Sequence, residues 1–496
     1  MRKELTFLRN GETTSVADFT PDLTLLEYLR LVERKTGTKE GCNEGDCGAC
    51  TVSLGRLRDG KLSYEPVNAC ILLLGQIDGC DLITVDDLAD GEKLHPVQQA
   101  MVDVHASQCG FCTPGFVMSL FTMHHSVHRN GEAVTRKSIN DWVAGNLCRC
   151  TGYRPIADAA LQSVSSKPQD ALMKRWDETE KRLLKLQDGK DVFVGDEVSF
   201  FAAPASIQSL ADMASKYPDA TIVSGATDVG LWINKQLRQL PKIIFVGRAK
   251  NFDQVKTNSK DVVLGAGARY VEAFDALAKI DPDIKEVLNR LGSRHVRASG
   301  TIGGNIANGS PIGDMPPMLI ALGASIEMRH GKAIRTLALE DFFIQYAKQD
   351  RAAGELVTKI KIPKLKKHEY FRAFKISKRF DQDISAVLFA ARFTVQNDRF
   401  VSVRIACGGM AGTPQRAKHA EAAISGAMLS KSETWERAIA AFEKDYKPLS
   451  DMRASADYRM KIVKNLMRKS LLEITAEVSG GDDAPMRVYG FREAAE

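Results

Sequence analysis

The sequence predicts an α+β protein built from several domains. Its 496 residues suffice for three or four domains of ordinary size, and an apolar content of 44% supplies cores for them. Along the chain, a segment of short strands gives way to a helical segment and then to a second mixed region. Eight of the ten cysteines form two quartets in the first third of the chain. Together these features favour a chain of distinct modules over one large fold.

Residues 1–88 read as a small α+β unit. A strand is predicted at Leu5–Leu8, a turn at Asn10–Gly11, a helix around Thr24–Leu31 and another strand at Thr51–Leu54. The cysteines of the first quartet fall in and after the stretch between that helix and the last strand.

Residues 95–165 have a helical pattern. Pro96 is expected to start one helix, and Pro114 with Gly115 to open another. The second helix has an apolar side made by Phe116, Val117, Leu120 and Phe121. Residues 166–192 are dense in charge and predict a linker, part of which can form a surface helix because Glu178 and Arg182 have helical spacing.

The first quartet has the spacing of a plant-type iron–sulfur site. It reads C-x4-C-x2-C with a fourth cysteine further on, and its members are Cys42, Cys47, Cys50 and Cys70. Gly41, Gly45 and Gly48 lie among the first three, and glycine permits the positive-φ turns that aim backbone N–H groups at the sulfurs. The pattern predicts a 2Fe-2S cluster.

The second quartet combines a C-x2-C pair with a C-R-C pair. Its members are Cys109, Cys112, Cys148 and Cys150. The cysteines are expected at helix starts, where unpaired N–H groups and the helix dipole favour thiolates. Four thiolates again predict a metal cluster.

Two other roles suit the cysteines less well. Zinc prefers two short C-x2-4-C knuckles, which neither the C-x4-C arm nor the C-x-C pair matches. Disulfides are disfavoured because no apolar leader segment follows Met1 to direct the chain to an oxidising compartment. Cys80 and Cys407 match no ligand position and are interpreted as ordinary buried thiols.

Two glycine-rich segments in the second half are candidate anion sites. Residues 222–230 follow a short apolar strand and open a helix, and residues 301–305 form a second such loop. Glycine clusters more often mark simple turns, so each segment alone is weak evidence. By pattern, Asp314 is an N-cap residue and Lys375 lies on the solvent side of a strand.

The overall composition excludes several classes of protein. The net charge is +6, from 68 basic and 62 acidic residues that are interspersed, so no nucleic-acid partner is predicted. No run of 18 apolar residues occurs, so no membrane span is predicted. A soluble protein in the reducing cytoplasm is expected.

Read together, these motifs resemble those of the molybdenum hydroxylases. The resemblance to the iron–sulfur region of that family rests on GTKEGCNEGDCGAC at 37–50, NAC at 68–70, QCGFCTPG at 108–115 and GNLCRCTGYRP at 145–155. TIGGNIANGSPIGD and AFKISKRFDQDISAV resemble the flavin domain of the same family. Iron–sulfur and flavin modules on one chain are similar to the small subunit found among the bacterial xanthine dehydrogenases.

The resemblance implies four domains and three cofactors. The domains are a β-grasp ferredoxin-like 2Fe-2S domain (1–88), a helical-bundle 2Fe-2S domain (89–165), after the linker 166–192 a two-part α+β FAD-binding domain of the PCMH type (193–366), and an α+β C-terminal flavoprotein domain (367–485). Both quartets would hold 2Fe-2S clusters. The residues implied at FAD are Val223, Ser224, Gly225, Ala226, Thr227, Asp228, Val229, Gly230, Leu291, Thr301, Ile302, Gly303, Gly304, Asn305, Asp314, Val357 and Lys375.

The resemblance also implies an activity shared with a partner. Hypoxanthine or xanthine would be hydroxylated, towards urate, at a molybdenum cofactor on a large molybdopterin-binding subunit. Electrons would pass through the two clusters to FAD and on to NAD⁺. A heterotetramer of two small and two large chains is expected, with no catalytic residue for purine on this chain.

Three alternatives stay open on the sequence. A related hydroxylase could act on aldehydes or other N-heterocycles. A reductase delivering electrons from NADH to an oxygenase would need only one cluster and a nicotinamide-binding segment, so the second quartet argues against it. The third alternative is a non-enzymatic zinc scaffold.

Overall fold

The protein is described here from a computed structural model covering residues 1–165, 167 and 169–480. The chain forms two compact units. The first comprises Met1–Phe252 and Gly292–Thr301, and the second comprises Asp253–Leu291 and the chain from Ile302. Within the described ranges, no helix is both long and apolar enough to cross a membrane.

The first unit begins with a five-stranded mixed sheet. Its elements are β1 (Leu5–Arg9), β2 (Glu12–Val16), α1 (Leu25–Glu27), β3 (Thr51–Arg58), β4 (Lys61–Asn68) and β5 (Asp81–Ile83). The strand order is β2-β1-β5-β3-β4, with β1 and β5 parallel and the other pairs antiparallel. Leu5, Phe7, Leu25 and Leu29 are fully buried. The predicted strands and the turn at Asn10–Gly11 are confirmed.

Five helices follow in the first unit. They are α2 (Pro96–Asp103), α3 (Thr113–Asn130), α4 (Arg136–Val143), α5 (Arg154–Ser163) and α6 (Ala171–Leu186). Proline stands at the first turn of α2, α3 and α5, as the sequence predicted for the first two. Phe116, Leu120 and Phe121 of α3 enter one core with Trp142 and Trp176.

Helix α6 corrects part of the linker prediction. It occupies most of residues 166–192, and its apolar side buries Leu172, Trp176 and Leu183 in the helical core. The segment is therefore largely a packed amphipathic helix and not a solvated connection. The predicted boundaries at 166 and 485 lie outside the described residues, and the other domain boundaries stay predictions.

A second, four-stranded sheet completes the first unit. Its elements are β6 (Val192–Gly195), β7 (Phe200–Ala203), α7 (Ile207–Lys216), β8 (Thr221–Val223), α8 (Val229–Asn234) and β9 (Lys242–Phe245). The order is β6-β7-β9-β8, with β9 parallel to both β7 and β8. The parallel arrangement places the carboxyl end of β8 beside the start of α8.

The next stretch of chain contributes to both units. Its elements are β10 (Val255–Thr257), β11 (Asp261–Gly265), α9 (Tyr270–Ala278), α10 (Pro282–Asn289), α11 (Arg294–Ser299), α12 (Ile302–Asn308), α13 (Met315–Leu322), β12 (Ser325–His330), β13 (Ala333–Ala338), α14 (Leu339–Phe342), β14 (Phe343–Gln345), β15 (Lys348–Gln349) and β16 (Leu356–Pro363). Helix α11 belongs to the first unit and the others to the second. In the second unit, β10-β11-β16-β12-β13 form an antiparallel sheet.

The second unit ends in an antiparallel sheet covered by helices. Its elements are β17 (Glu369–Ile376), β18 (Val387–Gln396), β19 (Arg399–Gly408), β20 (Gln415–Arg416), α15 (Lys418–Ile424), α16 (Glu436–Asp445) and α17 (Ala456–Ser479). The strands pair in chain order. Phe389, Phe393 and Phe442 lie in its core, and Arg372 on β17 binds Glu473 on α17 at 2.9 Å. Both units are thus mixed α and β, as predicted.

Candidate cofactor sites

The β3–β4 hairpin brings two cysteines of the first quartet together. Cys50 immediately precedes β3 and Cys70 follows β4, and the register Thr51↔Asn68 sets these two ends side by side. The sulfur of Cys50 and then burial raise the pKa of Cys70 well above its ordinary value. A pair of buried sulfurs in contact is an arrangement that a bound cation stabilises.

The other two cysteines face each other across a glycine-rich turn. The backbone N–H of Cys42 donates to Sγ of Cys47 at 3.3 Å, and that of Cys47 donates to Sγ of Cys42 at 3.3 Å. The bond from the Cys47 side chain lowers the pKa of Cys42 to about 5. Gly45 and Gly48 have φ of +80° and +66°, as the wrapped loop requires. Cys42 also interacts electrostatically with Cys70, so the four sulfurs form one group.

The second quartet also forms two sulfur pairs. Burial and then the sulfur of Cys148 raise the pKa of Cys112 to about 12, and the sulfur of Cys109 raises the pKa of Cys150. Cys112 is the N-cap residue of α3, while Cys148 and Cys150 lie between α4 and α5. Cys109 and Cys150 are exposed. The prediction of helix starts is confirmed for Cys112.

Hydrogen-bond donors surround the sulfur of Cys148. Burial opposes ionisation, but bonds from the hydroxyl and the N–H of Thr151 outweigh it and lower the pKa of Cys148. The N–H groups of Cys150 and Thr151 lie 3.4 Å from that sulfur, and Oη of Tyr153 accepts from the N–H of Cys148 at 3.0 Å. Thr151 and Tyr153 were not predicted, although they follow the C-R-C pair directly.

Both quartets fit an iron–sulfur cluster. Each offers four thiols and backbone N–H groups directed at sulfur, which is the donor set of a 2Fe-2S site. Cys80 and Cys407 lie outside both quartets and are buried, in agreement with their interpretation. Burial raises the pKa of Cys407 to about 12.

In the first unit, the predicted flavin segment connects β8 to α8. Oγ of Ser224 bonds with Oγ1 of Thr301 at 3.0 Å, so residues 223–230 and Thr301 are adjacent there. A Cβ on Gly225 would lie 2.1 Å from the Ser299 carbonyl oxygen, so no side chain fits. Ala226 has φ of +57° in this tight turn.

In the second unit, residues 302–305 form the first turn of α12 and not the predicted loop. Gly303 packs against Ala266, whose carbonyl oxygen would lie 2.4 Å from an added Cβ. Among the described residues, the buried Oδ1 of Asn305 has no hydrogen-bond partner. Glycines in tight contact and an unpaired buried amide oxygen suit contact with a polar cofactor.

Asp314 and Lys375 form a buried ion pair. Nζ of Lys375 lies 2.7 Å from Oδ2 of Asp314 and donates to Oγ of Ser385 at 2.9 Å, while that hydroxyl donates to Oδ1 of Asp314 at 2.5 Å. The predicted N-cap position of Asp314 is confirmed, whereas the predicted solvent-side position of Lys375 is wrong. Asp314 stands at the N-cap position of α13 without a capping bond, and only 3% of Lys375 is exposed. Ser385 was not predicted.

The last two residues implied at FAD lie apart in the fold. Leu291 follows α10, and Val357 is buried in β16 opposite Met328. Their contact with flavin stays a prediction, as do the other individual contacts in both units.

Comparison with protein families gives four matches in chain order. They are a 2Fe-2S iron-sulfur cluster binding domain over residues 8–74, a 2Fe-2S binding domain over 84–161, the FAD binding domain in molybdopterin dehydrogenase over 196–365 and the CO dehydrogenase flavoprotein C-terminal domain over 372–474. The prediction of ferredoxin-like, FAD-binding and flavoprotein domains is confirmed.

Similar individual proteins include xanthine dehydrogenases and a CO dehydrogenase chain. Xanthine dehydrogenase of Drosophila subobscura is 30% identical over 467 residues, which are 82% of this chain and 34% of that protein. Xanthine dehydrogenase/oxidase of Rattus norvegicus is 32% identical over 463 residues, again 82% and 34%. Reconstituted CO dehydrogenase from Oligotropha carboxidovorans has a chain with TM-score 0.51 and 27% identity, covering 56% of this chain and 96% of its own. The chain spans about a third of the length of the curated relatives it matches.

Proposed function

The chain belongs to the molybdenum hydroxylase family, as its iron–sulfur and FAD-binding part, and from this premise we propose that it is the electron-transfer subunit of a xanthine dehydrogenase. One observation carries the proposal. The fold assembles two separate groups of four cysteines on a chain whose following segments match FAD-binding and flavoprotein domains. The names of the relatives at about 30% identity favour xanthine as the substrate class.

The residues of this chain form three proposed sites, two for 2Fe-2S clusters and one for FAD. When bound, the two 2Fe-2S clusters would supply one-electron chemistry and FAD would couple it to two-electron transfer. The eight cysteines are the ligands, and N–H donors such as Thr151 hold negative charge on the sulfurs. In the first unit, the turn after β8 supplies backbone for close contact with FAD. None of these residues needs to act on purine.

The proposal extends to acceptor, partner and location. NAD⁺ is the proposed acceptor, supported by the dehydrogenase names of the relatives. A large molybdopterin-binding subunit is the proposed partner, in a heterotetramer of two small and two large chains, supported by the family resemblance. A cytoplasmic location is proposed because eight ligand thiols require reducing conditions.

The first experiment is anaerobic purification with metal and flavin analysis. We expect about four irons, two distinct electron paramagnetic resonance (EPR) signals after reduction and about one FAD per chain. The purified chain should oxidise NADH with an artificial electron acceptor but should not hydroxylate xanthine. Zinc in place of iron, or no flavin, would overturn the proposal in favour of a zinc scaffold.

A related hydroxylase acting on aldehydes or other N-heterocycles is separated by a second step. Co-expression with candidate molybdopterin-binding partners should give a complex that reduces NAD⁺ with hypoxanthine or xanthine. If the complex instead prefers an aldehyde, the electron-transfer role stands and the substrate assignment is wrong.

A further inference from the structure

The loops that carry the two cysteine quartets touch each other in the first unit. The backbone N–H of Leu147, one residue before Cys148, donates to the Cys47 carbonyl at 2.9 Å. A Cβ on Gly48 would lie 2.1 Å from the Gly145 carbonyl oxygen, so the two backbones meet without room for a side chain. Any shift of one loop must therefore move the other.

Asn146 bridges this contact with its side chain. Its Nδ2 donates to the Gly48 carbonyl at 3.0 Å and to Oγ1 of Thr51 at 3.1 Å. Its Oδ1 accepts from the hydroxyl of Ser119, on α3, at 2.6 Å. Asn146 is only 2% exposed. Because a carbonyl oxygen can only accept, Gly48 fixes which end of the amide faces which loop.

His295 orients the other end of this bridge. Its Nε2 lies 3.0 Å from Oγ of Ser119, which already gives its proton to Asn146, so the imidazole must be the donor. His295 is fully buried, and burial together with Arg294 and Arg297 lowers its pKa to about 3, which keeps the ring neutral. The direction of every bond is therefore set, from His295 through Ser119 and Asn146 to Gly48.

Two further glycines in this contact have no room for a side chain. A Cβ on Gly115 would lie 2.1 Å from the Gly48 carbonyl oxygen, and one on Gly145 would lie 2.1 Å from Nδ1 of His295. The hydrogen-bond chain thus occupies a site where three backbone segments and one imidazole already touch. A polar network that is oriented and buried in this way selects one geometry.

We propose that Asn146 is a positioning residue that fixes the spacing of the two cysteine loops, with Ser119 and His295 orienting its amide. The inference rests on the proposed function in that the two loops hold redox clusters. Spacing matters there because electron transfer between two sites weakens steeply with distance. His295 lies six residues before Thr301, so the same chain also anchors the segment that enters the predicted flavin site.

Two variants test the hydrogen bonds at the two ends of the Asn146 side chain separately. Asn146→Asp keeps an acceptor for Ser119 but loses both donors to the first loop and turns a carboxylate towards the Gly48 carbonyl. Ser119→Ala keeps those donors but removes the hydroxyl that bonds to Oδ1 of Asn146 and to Nε2 of His295. Thr122→Val is the matched control, because Thr122 is equally buried on α3 and, within the described part of the chain, its side chain bonds to Ser53 and Met118 and not to the bridge.

Hydrogen exchange of the purified chain and EPR of its reduced form are measured for each variant. In Asn146→Asp, we expect about tenfold faster exchange in peptides spanning residues 143–150, and a weaker magnetic interaction between the two reduced clusters. Ser119→Ala should show a smaller change of the same kind, and Thr122→Val none. Iron content should stay at the wild-type level in all three.

Several outcomes would overturn the inference. Wild-type exchange and coupling in Asn146→Asp would do so, and so would equal effects in all three variants, which would indicate general loosening of α3. If Asn146→Asp does not fold, the difference between Ser119→Ala and Thr122→Val in exchange and in magnetic coupling tests the inference. If the wild-type chain binds no iron, the proposed function fails, while the exchange comparison still tests the bridge.

Discussion

At the residue scale, Lys375 and Asp314 form a buried ion pair in the second unit. Both side chains are buried, and Ser385 satisfies the remaining bonds. Such a pair need not stabilise the fold relative to apolar residues, but losing one partner leaves a charge without compensation.

We expect Lys375→Met to lower the free energy of unfolding by about 3–5 kcal/mol, because Asp314 stays buried and unpaired. Urea unfolding followed through Trp435 fluorescence measures it. Lys359→Met is the control: its partner Glu327 lies 3.0 Å away, but 49% of the Lys359 side chain is exposed, so a loss below about 1 kcal/mol is expected. Equal losses would show that burial does not determine the cost.

The lowered pKa of His124 predicts how the stability of the folded state changes as the pH falls. Burial and then the neighbouring His125 lower its pKa from 6.5 to about 3. The unfolded chain therefore gains a proton at this histidine, below about pH 6.5, that the folded chain does not take up. The folded state loses up to about 1.4 kcal/mol per pH unit from this group as the pH falls towards about 3.

In His124→Leu, we expect a shallower loss of stability between about pH 7 and pH 5, because the titrating group is gone. The urea midpoint of the first unit at several pH values tests this. A wild-type slope in His124→Leu would contradict the assignment.

At the element scale, one carboxylate supports the starts of two helices. Oδ1 of Asp170 accepts from the N–H of Met173 and caps α6, while Oδ2 lies 3.0 Å from Nε2 of His95. His95 in turn caps α2, its Nδ1 accepting from the N–H of Val97 at 3.2 Å. With Nδ1 an acceptor, Nε2 carries the proton and donates to Asp170.

We expect Asp170→Ala to cost about 2–4 kcal/mol, because one cap is lost and the His95 N–H is left unpaired. Ser206→Ala at the start of α7 removes a cap of similar geometry, in which Oγ accepts from Ser209 at 3.0 Å, and should cost about 1 kcal/mol. Thermal unfolding compares the two. A cost for Asp170→Ala no larger than that of Ser206→Ala would mean that α2 does not depend on Asp170.

The sequence predicted best those elements that have a local signal. Proline at a first helical turn located the starts of α2 and α3, and alternation located β1. The dense charge of residues 171–186 hid the narrow apolar side of α6, because only three of its sixteen residues are both apolar and buried. Alternation also misplaced Lys375, because α10 packs against β17 and Asp314 at the start of α13 binds the Lys375 side chain. Contacts of that kind are set by the tertiary fold and have no local signal.

The candidate sites likewise contain residues that the sequence identified and residues that only the tertiary fold brings together. Cysteine spacing identified both groups of candidate ligands, because cysteines are rare and their positions along the chain are constrained. The polar partners of the cysteine loops and of the Lys375–Asp314 pair were not predictable. Asn146, Ser119 and Ser385 are common polar residues whose roles appear only when distant segments meet.

At the scale of the whole molecule, the two quartets should act as independent metal sites. We expect Cys70→Ser to lose about two irons and one EPR signal, and Cys148→Ser to lose the other signal, with flavin retained in both. Iron analysis and spectra of each variant measure this. Cys80→Ser, which removes a buried thiol outside the quartets, should keep about four irons. Loss of both signals from one ligand change would show that the clusters assemble together.

The division of the chain into units has a consequence for its synthesis. Gly292–Thr301 belongs to the first unit although it follows Asp253–Leu291 of the second. Arg294 in this segment binds Glu65, and His295 meets Ser119. At roughly 5–20 residues per second, the ribosome adds the 49 residues from 253 to 301 in about 2–10 s. For those seconds the nascent first unit lacks Gly292–Thr301, so the contacts of Arg294 with Glu65 and of His295 with Ser119 form only after this delay.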